Sequence, residues 1–122
     1  MKTSVAKAKG RRLQQRVAKY LAEEYDLVYG QDEDLGSREM GQIGVDVKMS
    51  KEAKAKIPFD IECKNQETWH LAPWWTQCLS NNKENRVPLL VISKNRHEDL
   101  AVLRFTDLIK LIKGDKNEEK SV

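Results

Sequence analysis

The chain has 122 residues, of which 39% are hydrophobic and 34% charged, and a formal net charge of +3. That length suits one packed core and is short for two; no apolar run approaches the roughly 20 residues that cross a bilayer, and no hydrophobic signal segment follows Met1-Lys2-Thr3-Ser4. A cytoplasmic protein without a membrane partner is therefore expected, and its two cysteines, Cys63 and Cys78, are too few for a disulfide scaffold and read as reduced thiols.

The first 19 residues hold seven Lys or Arg and no acid. This basic arm reads either as a contact to a phosphate backbone or as a solvated terminus. Over residues 9–25, Leu13, Val17, Tyr20, Leu21 and Tyr25 recur at helical spacing while Arg12, Arg16, Lys19 and Glu23 fall largely elsewhere, which predicts an amphipathic helix packed on a sheet. From Gly30 to Gly44 the periodicity breaks, with Gly36 and Gly41 between and the acids Asp32, Glu33 and Asp34 alongside, so a long loop is expected, its acids facing away from any DNA. Ser37 and Arg38 lie in this loop, a hydroxyl donor and a cation suited to a phosphate.

Residues 45–49 read as a strand, with Val45, Val47 and Met49 on one side and Asp46 and Lys48 on the other. Ser50 caps a short helical turn with Ala53 inside it, and Lys51, Lys54 and Lys56 form either a solvated face or a phosphate-facing patch. Pro58 ends the turn. In Phe59-Asp60-Ile61-Glu62-Cys63-Lys64, strand alternation puts Phe59, Ile61 and Cys63 in one apolar layer and Asp60, Glu62 and Lys64 on the other face. Asp46 stands 16 residues before Glu62; neighbouring strands would bring the two carboxylates together with the Lys64 amine. Paired carboxylates make a hard-oxygen site for Mg²⁺ or Mn²⁺, and an amine beside them suits metal-assisted phosphodiester hydrolysis.

Residues 71–83 predict a second helix with Leu71, Trp74, Trp75 and Cys78 buried. Its tryptophans, with Trp69, are either core or stacking platforms for exposed bases, Trp69 being best placed for a partner. His70 and His97 are isolated and read as surface residues, and zinc held by Cys63, His70 and Cys78 has no recognised spacing. Val87-Pro88-Leu89-Leu90-Val91-Ile92-Ser93 is nearly continuous apolar, as in a strand buried on both faces and parallel to the one before the helix. Lys94 and Arg96 close it with a cationic turn. Residues 101–105 suggest another strand, and Thr106 a cap for a last helix that packs Leu108, Ile109, Leu111 and Ile112 inward and stops at Gly114. The expected organisation is a single α/β domain at 1–113, a mixed sheet of about four strands flanked by helices, then a charged, disordered tail at 114–122.

Asp46 followed by Glu62-Cys63-Lys64 at the end of a strand resembles the PD-(D/E)XK nuclease superfamily, whose core is restriction-endonuclease-like. Ile61-Glu62-Cys63-Lys64-Asn65 and Gly10-Arg11-Arg12-Leu13-Gln14-Gln15 are most similar to small phage-encoded endonucleases and, more distantly, to archaeal-type Holliday junction resolvases. The resemblance covers residues 9–112 and departs at Val45, where the superfamily name has proline, and at Gln14, where resolvases usually carry a glutamate. It implies a Mg²⁺ (or Mn²⁺)-dependent deoxyribonuclease. Asp46, Glu62 and the Cys63 carbonyl would hold the ion, Lys64 would position the attacking water, and Gln77, 13 residues after Lys64, would face the cleft. Arg11, Arg12, Gln14, Ser37, Arg38, Lys94 and Arg96 would contact DNA, a branched substrate in phage recombination or genome processing being the implied choice, with two copies acting as a homodimer and no small-molecule cofactor. The competing readings are a non-catalytic DNA-binding module of the same fold and a protein-interaction subunit that uses the tryptophans.

Overall fold

The structure is a computed structural model that describes residues 2–39, 42–83 and 85–121, with side chains from Ser4 to Gly114. Gly41 and Val122 lie outside the described residues. The chain starts in helix α1 (Lys2–Glu24), then runs through strands β1 (Leu35–Ser37) and β2 (Val47–Met49), helix α2 (Lys51–Lys56), strand β3 (Phe59–Asn65), helix α3 (Leu71–Ser80), strands β4 (Val87–Ser93) and β5 (Leu100–Val102), and helix α4 (Phe105–Ser121).

The basic arm is the first half of α1. No proline interrupts residues 2–24, and alanine and lysine favour helix there. Leu13, Ala18 and Ala22 are fully buried, with Val17 and Leu21 packed behind them. The expected stripe shifts, because Tyr20 and Tyr25 turn outward and small alanines take their place, letting helix and sheet approach closely.

β3 and β4 pair in parallel, Glu62 opposite Leu90 and Lys64 opposite Ile92, and β5 adds antiparallel to β4. Alternation sorts the side chains as expected. Ile61, Cys63 and Val91 join Leu13 and Val47 beneath α1, while Leu90 and Ile92 pack with Trp74 and Cys78 beneath α3. β4 is thus covered on both sides, and the two cysteines belong to different clusters. The result is an α/β fold consistent with a restriction-endonuclease-like core. The expected sheet of about four strands is divided into a three-stranded mixed sheet, β3-β4-β5, and a two-stranded sheet, β1-β2, because β2 joins β3 through a backbone bond at its entry and not through a ladder.

The segment 30–44, expected to be loop, contains β1, antiparallel to β2 with Ser37 opposite Val47. Leu35 is its one buried side chain, Gly36 being buried without one, too little to show as alternation. Gly36 lets β1 pass the preceding turn, since a Cβ there would lie 2.6 Å from the Gly30 carbonyl oxygen. Asp34, one of the loop acids, accepts from Val28 N–H (3.1 Å) and from the Ser50 hydroxyl (2.8 Å). These bonds, led by the one from Val28, hold its carboxyl below the usual range. Ser50 caps α2 as expected, accepting from Ala53 N–H at 3.1 Å.

Three further boundaries move. α3 ends at Ser80, with Asn81 as its C-cap. The strand expected at 101–105 is Leu100–Val102, and α4 starts at Phe105, so Thr106 lies inside its first turn. α4 also passes through Gly114, the expected stop, and runs to Ser121. Gly44 has the only positive φ among the described glycines, so Gly114 lacks the left-handed conformation that stops a helix. Phe105, Leu108, Ile109 and Ile112, three of them expected to pack inward, are exposed on α4.

Candidate active site

Asp46 is positioned through its backbone. Its carbonyl accepts from Arg38 N–H (2.8 Å) and its N–H donates to the Ile61 carbonyl (3.0 Å), which ties the entry of β2 to both β1 and β3. The turn that delivers it needs Gly44, with φ +128, and the Arg38 guanidinium closes over that turn to bond the Val45 carbonyl. The carboxylate then reaches across to β3, where Oδ2 accepts from Cys63 N–H at 2.7 Å. In a strand, the N–H and C=O of one residue point to the same edge. The Cys63 carbonyl therefore faces the Asp46 side, away from β4.

Glu62 projects beside Asp46 and is 97% buried, at a relative exposure of 3%. Its Oε1 accepts from Asn81 Nδ2 at 3.0 Å. Burial, and then the neighbouring Asp46 carboxylate, push the Glu62 carboxyl up to about 7, opposed by Asn81 and Lys64. Burial also raises Asp46, against the Cys63 N–H, Lys64 and Arg38. Two neighbouring acids that both resist ionising are placed to be relieved by a cation between them.

The two acids open into a cleft of about 360 Å³ that Gln14, Cys63, Lys64 and Gln77 also line. Gln14 is 92% buried on α1, at a relative exposure of 8%, and its Oε1 has no hydrogen-bond partner among the described residues. No group of three His, Cys, Asp or Glu side chains stands together among the described residues. The site instead combines two carboxylates with amide and peptide oxygens. All are hard donors, and one is an orphaned acceptor, so the set fits Mg²⁺ or Mn²⁺.

Of the residues expected to contact DNA, Arg12, Lys94 and Arg96 converge in a groove of about 480 Å³ with Lys9 and Arg16. Asn65 lines both this groove and the cleft. Arg11 is exposed on α1 without lining either. Arg38 is committed to the Gly44 turn, and Ser37 lies in β1 outside the cleft. Trp69, the tryptophan expected to meet a partner, donates to the Ser93 carbonyl (3.1 Å) and lies under Lys94, 4.8 Å away, so it serves the packing of the β4 exit.

Two residues with large roles escaped the sequence. Asn81 supplies the hydrogen bond to Glu62, and Arg86 forms a 2.8 Å ion pair with Asp60. The Asn81-Asn82 pair at a helix end was the available signal for the first. Arg86 had none, since nothing in its neighbourhood predicts a partner 26 residues away.

No curated protein and no solved structure matches the chain. The family model described as "Phage putative PDDEXK endonuclease" matches residues 5–122, taking in α1, both acids, Lys64 and Gln77. The chain therefore belongs to this phage PD-(D/E)XK endonuclease family.

Proposed function

We propose that the protein is a divalent-metal-dependent DNA endonuclease selective for branched DNA, acting in phage recombination or genome processing. The observation that carries the reading is the convergence of Asp46, Glu62 and Lys64 on one cleft, since a binding module has no use for two acids where phosphates must approach. Asp46, Glu62 and the Cys63 carbonyl hold the ion. When bound, it supplies polarisation of the phosphoryl oxygen and a lowered pKa for the attacking water.

The chain's own groups do the rest. The Lys64 ammonium, at the cleft wall, donates to the phosphate or to the attacking water and offsets charge that grows on the phosphoryl oxygens. Gln14 Oε1 accepts a hydrogen bond from that water, and Gln77 orients it or a phosphate oxygen from the opposite wall. Arg12, Lys94 and Arg96 hold the sugar-phosphate backbone, which gives affinity without sequence information. Residues 1–113 form the nuclease domain. Two copies act as a homodimer on the two strands of a branch, a reading supported by the apolar side chains of α4, Phe105 and Ile112 being 74% and 73% exposed.

The test is incubation with junction, fork, linear duplex and single-stranded DNA in Mg²⁺, Mn²⁺ or EDTA. Metal-dependent cuts are expected, strongest on branched DNA, and Glu62→Gln or Lys64→Ala lowers the rate at least about a thousandfold, equivalent to ~4 kcal/mol of transition-state stabilisation. Binding that persists in EDTA with no cuts in either metal would show a non-catalytic module instead.

A further inference from the structure

A second hollow, which shares no lining residue with the Gln14 cleft, is walled by chain neighbours of the two acids. Its volume is about 340 Å³, at the lower end for pockets that hold a small organic molecule. Ile43, Val45, Val47, Met49 and Phe59 supply apolar wall. Ile43 is 91% exposed, an apolar side chain held in solvent at the rim.

The charges around this hollow fall into two kinds. Arg86 is consumed by the fold: it pairs with Asp60 and donates to the Ile57 and Phe59 carbonyls, both at 2.7 Å. Asp60 is equally occupied, accepting also from Asn82 Nδ2 and Lys83 N–H, so it presents no bare carboxylate to an anion. Lys48, Lys54 and Lys83, by contrast, form no ion pair among the described residues. Three uncommitted ammonium groups around an apolar floor match one ligand chemistry, a flat base flanked by phosphates.

The hollow is also joined to the chemistry. Asn81 lines it and donates to Glu62, and Val45 and Asp60, both in its wall, lie one and two residues along the chain from Asp46 and Glu62. A strand whose phosphate sits at the acids therefore has its next nucleotide at the mouth.

We propose that this hollow is a subsite for one unpaired nucleotide adjoining the phosphate to be cut, with Lys48, Lys54 and Lys83 on its flanking phosphates and Ile43 and Phe59 against its base. The inference rests on the nuclease reading and sharpens it, because it makes an unpaired nucleotide the feature recognised in the substrate. A perfect duplex must unstack and unpair a base to fill the hollow, whereas a gap, flap or branch point offers one free.

The experiment separates binding from cutting. Fluorescence anisotropy in EDTA compares a duplex carrying one unpaired nucleotide with the matched perfect duplex, and cleavage of both is followed in Mn²⁺. The wild-type chain binds the unpaired form at least about tenfold tighter. Lys48→Ala/Lys54→Ala/Lys83→Ala and, separately, Ile43→Asp bring the ratio of the two affinities to within about twofold of one; the exposure of Ile43 keeps the second variant folded if the first is not. Arg12→Ala/Lys94→Ala weakens both DNAs and preserves the ratio. A wild-type ratio near one, or a ratio that both hollow variants leave intact, overturns the subsite even if Mn²⁺-dependent cutting is strong. An intact preference that the hollow variants abolish, without cutting of either DNA, upholds the subsite and removes the nuclease reading.

Discussion

Asp60 and Glu62 are two residues apart on the same strand, share one face and are both more than nine-tenths buried, yet they live in opposite electrostatic worlds. Asp60 accepts from Arg86, from Asn82 and from the Lys83 backbone. Among the described residues Glu62 has a single neutral donor, Asn81, and a second carboxylate for a neighbour. One chain segment, 81–86, supplies the partners of both acids. A buried carboxylate with a full complement of donors and a counter-ion is a structural fastening. One left short of positive charge is a site waiting for a cation.

The largest way to break this contrast is to strip Asp60 of its cation. Arg86→Ala leaves a buried charge unpaired and abandons carbonyls of Ile57 and Phe59, so urea unfolding should show a loss of about 3–5 kcal/mol. A loss below ~1 kcal/mol would mean that Asp60 is not the fastening described. Asn81→Leu should act on the other acid. It removes the one donor that orients Glu62, and the metal concentration giving half-maximal cleavage should rise about 10–100-fold, while stability moves by ~1 kcal/mol. Equal damage to folding and to metal response would erase the distinction between the two acids.

The smallest effect has the opposite sign. The Glu62 carboxyl is raised in the folded chain, from an ordinary 4.5 to about 7. The folded state therefore binds more protons than the unfolded one in that window, and its stability falls as pH climbs from about 4.5 to about 7, the whole penalty being present above it. In EDTA near pH 8, Glu62→Gln should be more stable than the wild-type chain by about 1–2 kcal/mol, allowing for solvent screening, and the gain should vanish near pH 4. Mn²⁺ should raise the melting temperature of the wild-type chain and leave the variant unmoved. Wild-type stability that increases through this pH window sinks the account of Glu62 as an acid pressed against another.

Much of the active centre was legible because it is written in strand alternation. Phe59, Ile61 and Cys63 against Asp60, Glu62 and Lys64 is a pattern of period two, and the continuous apolar run at Val87–Ser93 names a strand covered on both sides. Gln77, which the family resemblance and not any local pattern placed at the cleft, lines it. What failed did so for identifiable reasons. β1 has one buried side chain in three residues and pairs with residues beyond a long turn, so no local pattern exists to read. Tyr20 lies about 200° round α1 from Ala18, and the sheet covers the side with Ala18 and Ala22, a choice that apolar spacing alone does not make. Arg38 and Arg12 look alike as cations, yet one is bound into the Gly44 turn and the other is free in a groove.

By itself, the sequence determined that the strands around Val47, Ile61 and Leu90 form, which face of β3 is apolar, and that two acids and an amine belong to one family motif, because these are local properties of residue type and period. Only the tertiary structure decided that Asp46 is carried to β3 by bonds to Arg38 and Ile61, that segment 81–86 fastens Asp60 and leaves Glu62 exposed to its neighbour's charge, and which lysines stay uncommitted. Hydrogen bonds and ion pairs between residues 8–26 positions apart depend on where the chain returns in space. Residue order constrains that return only through the packing of the whole.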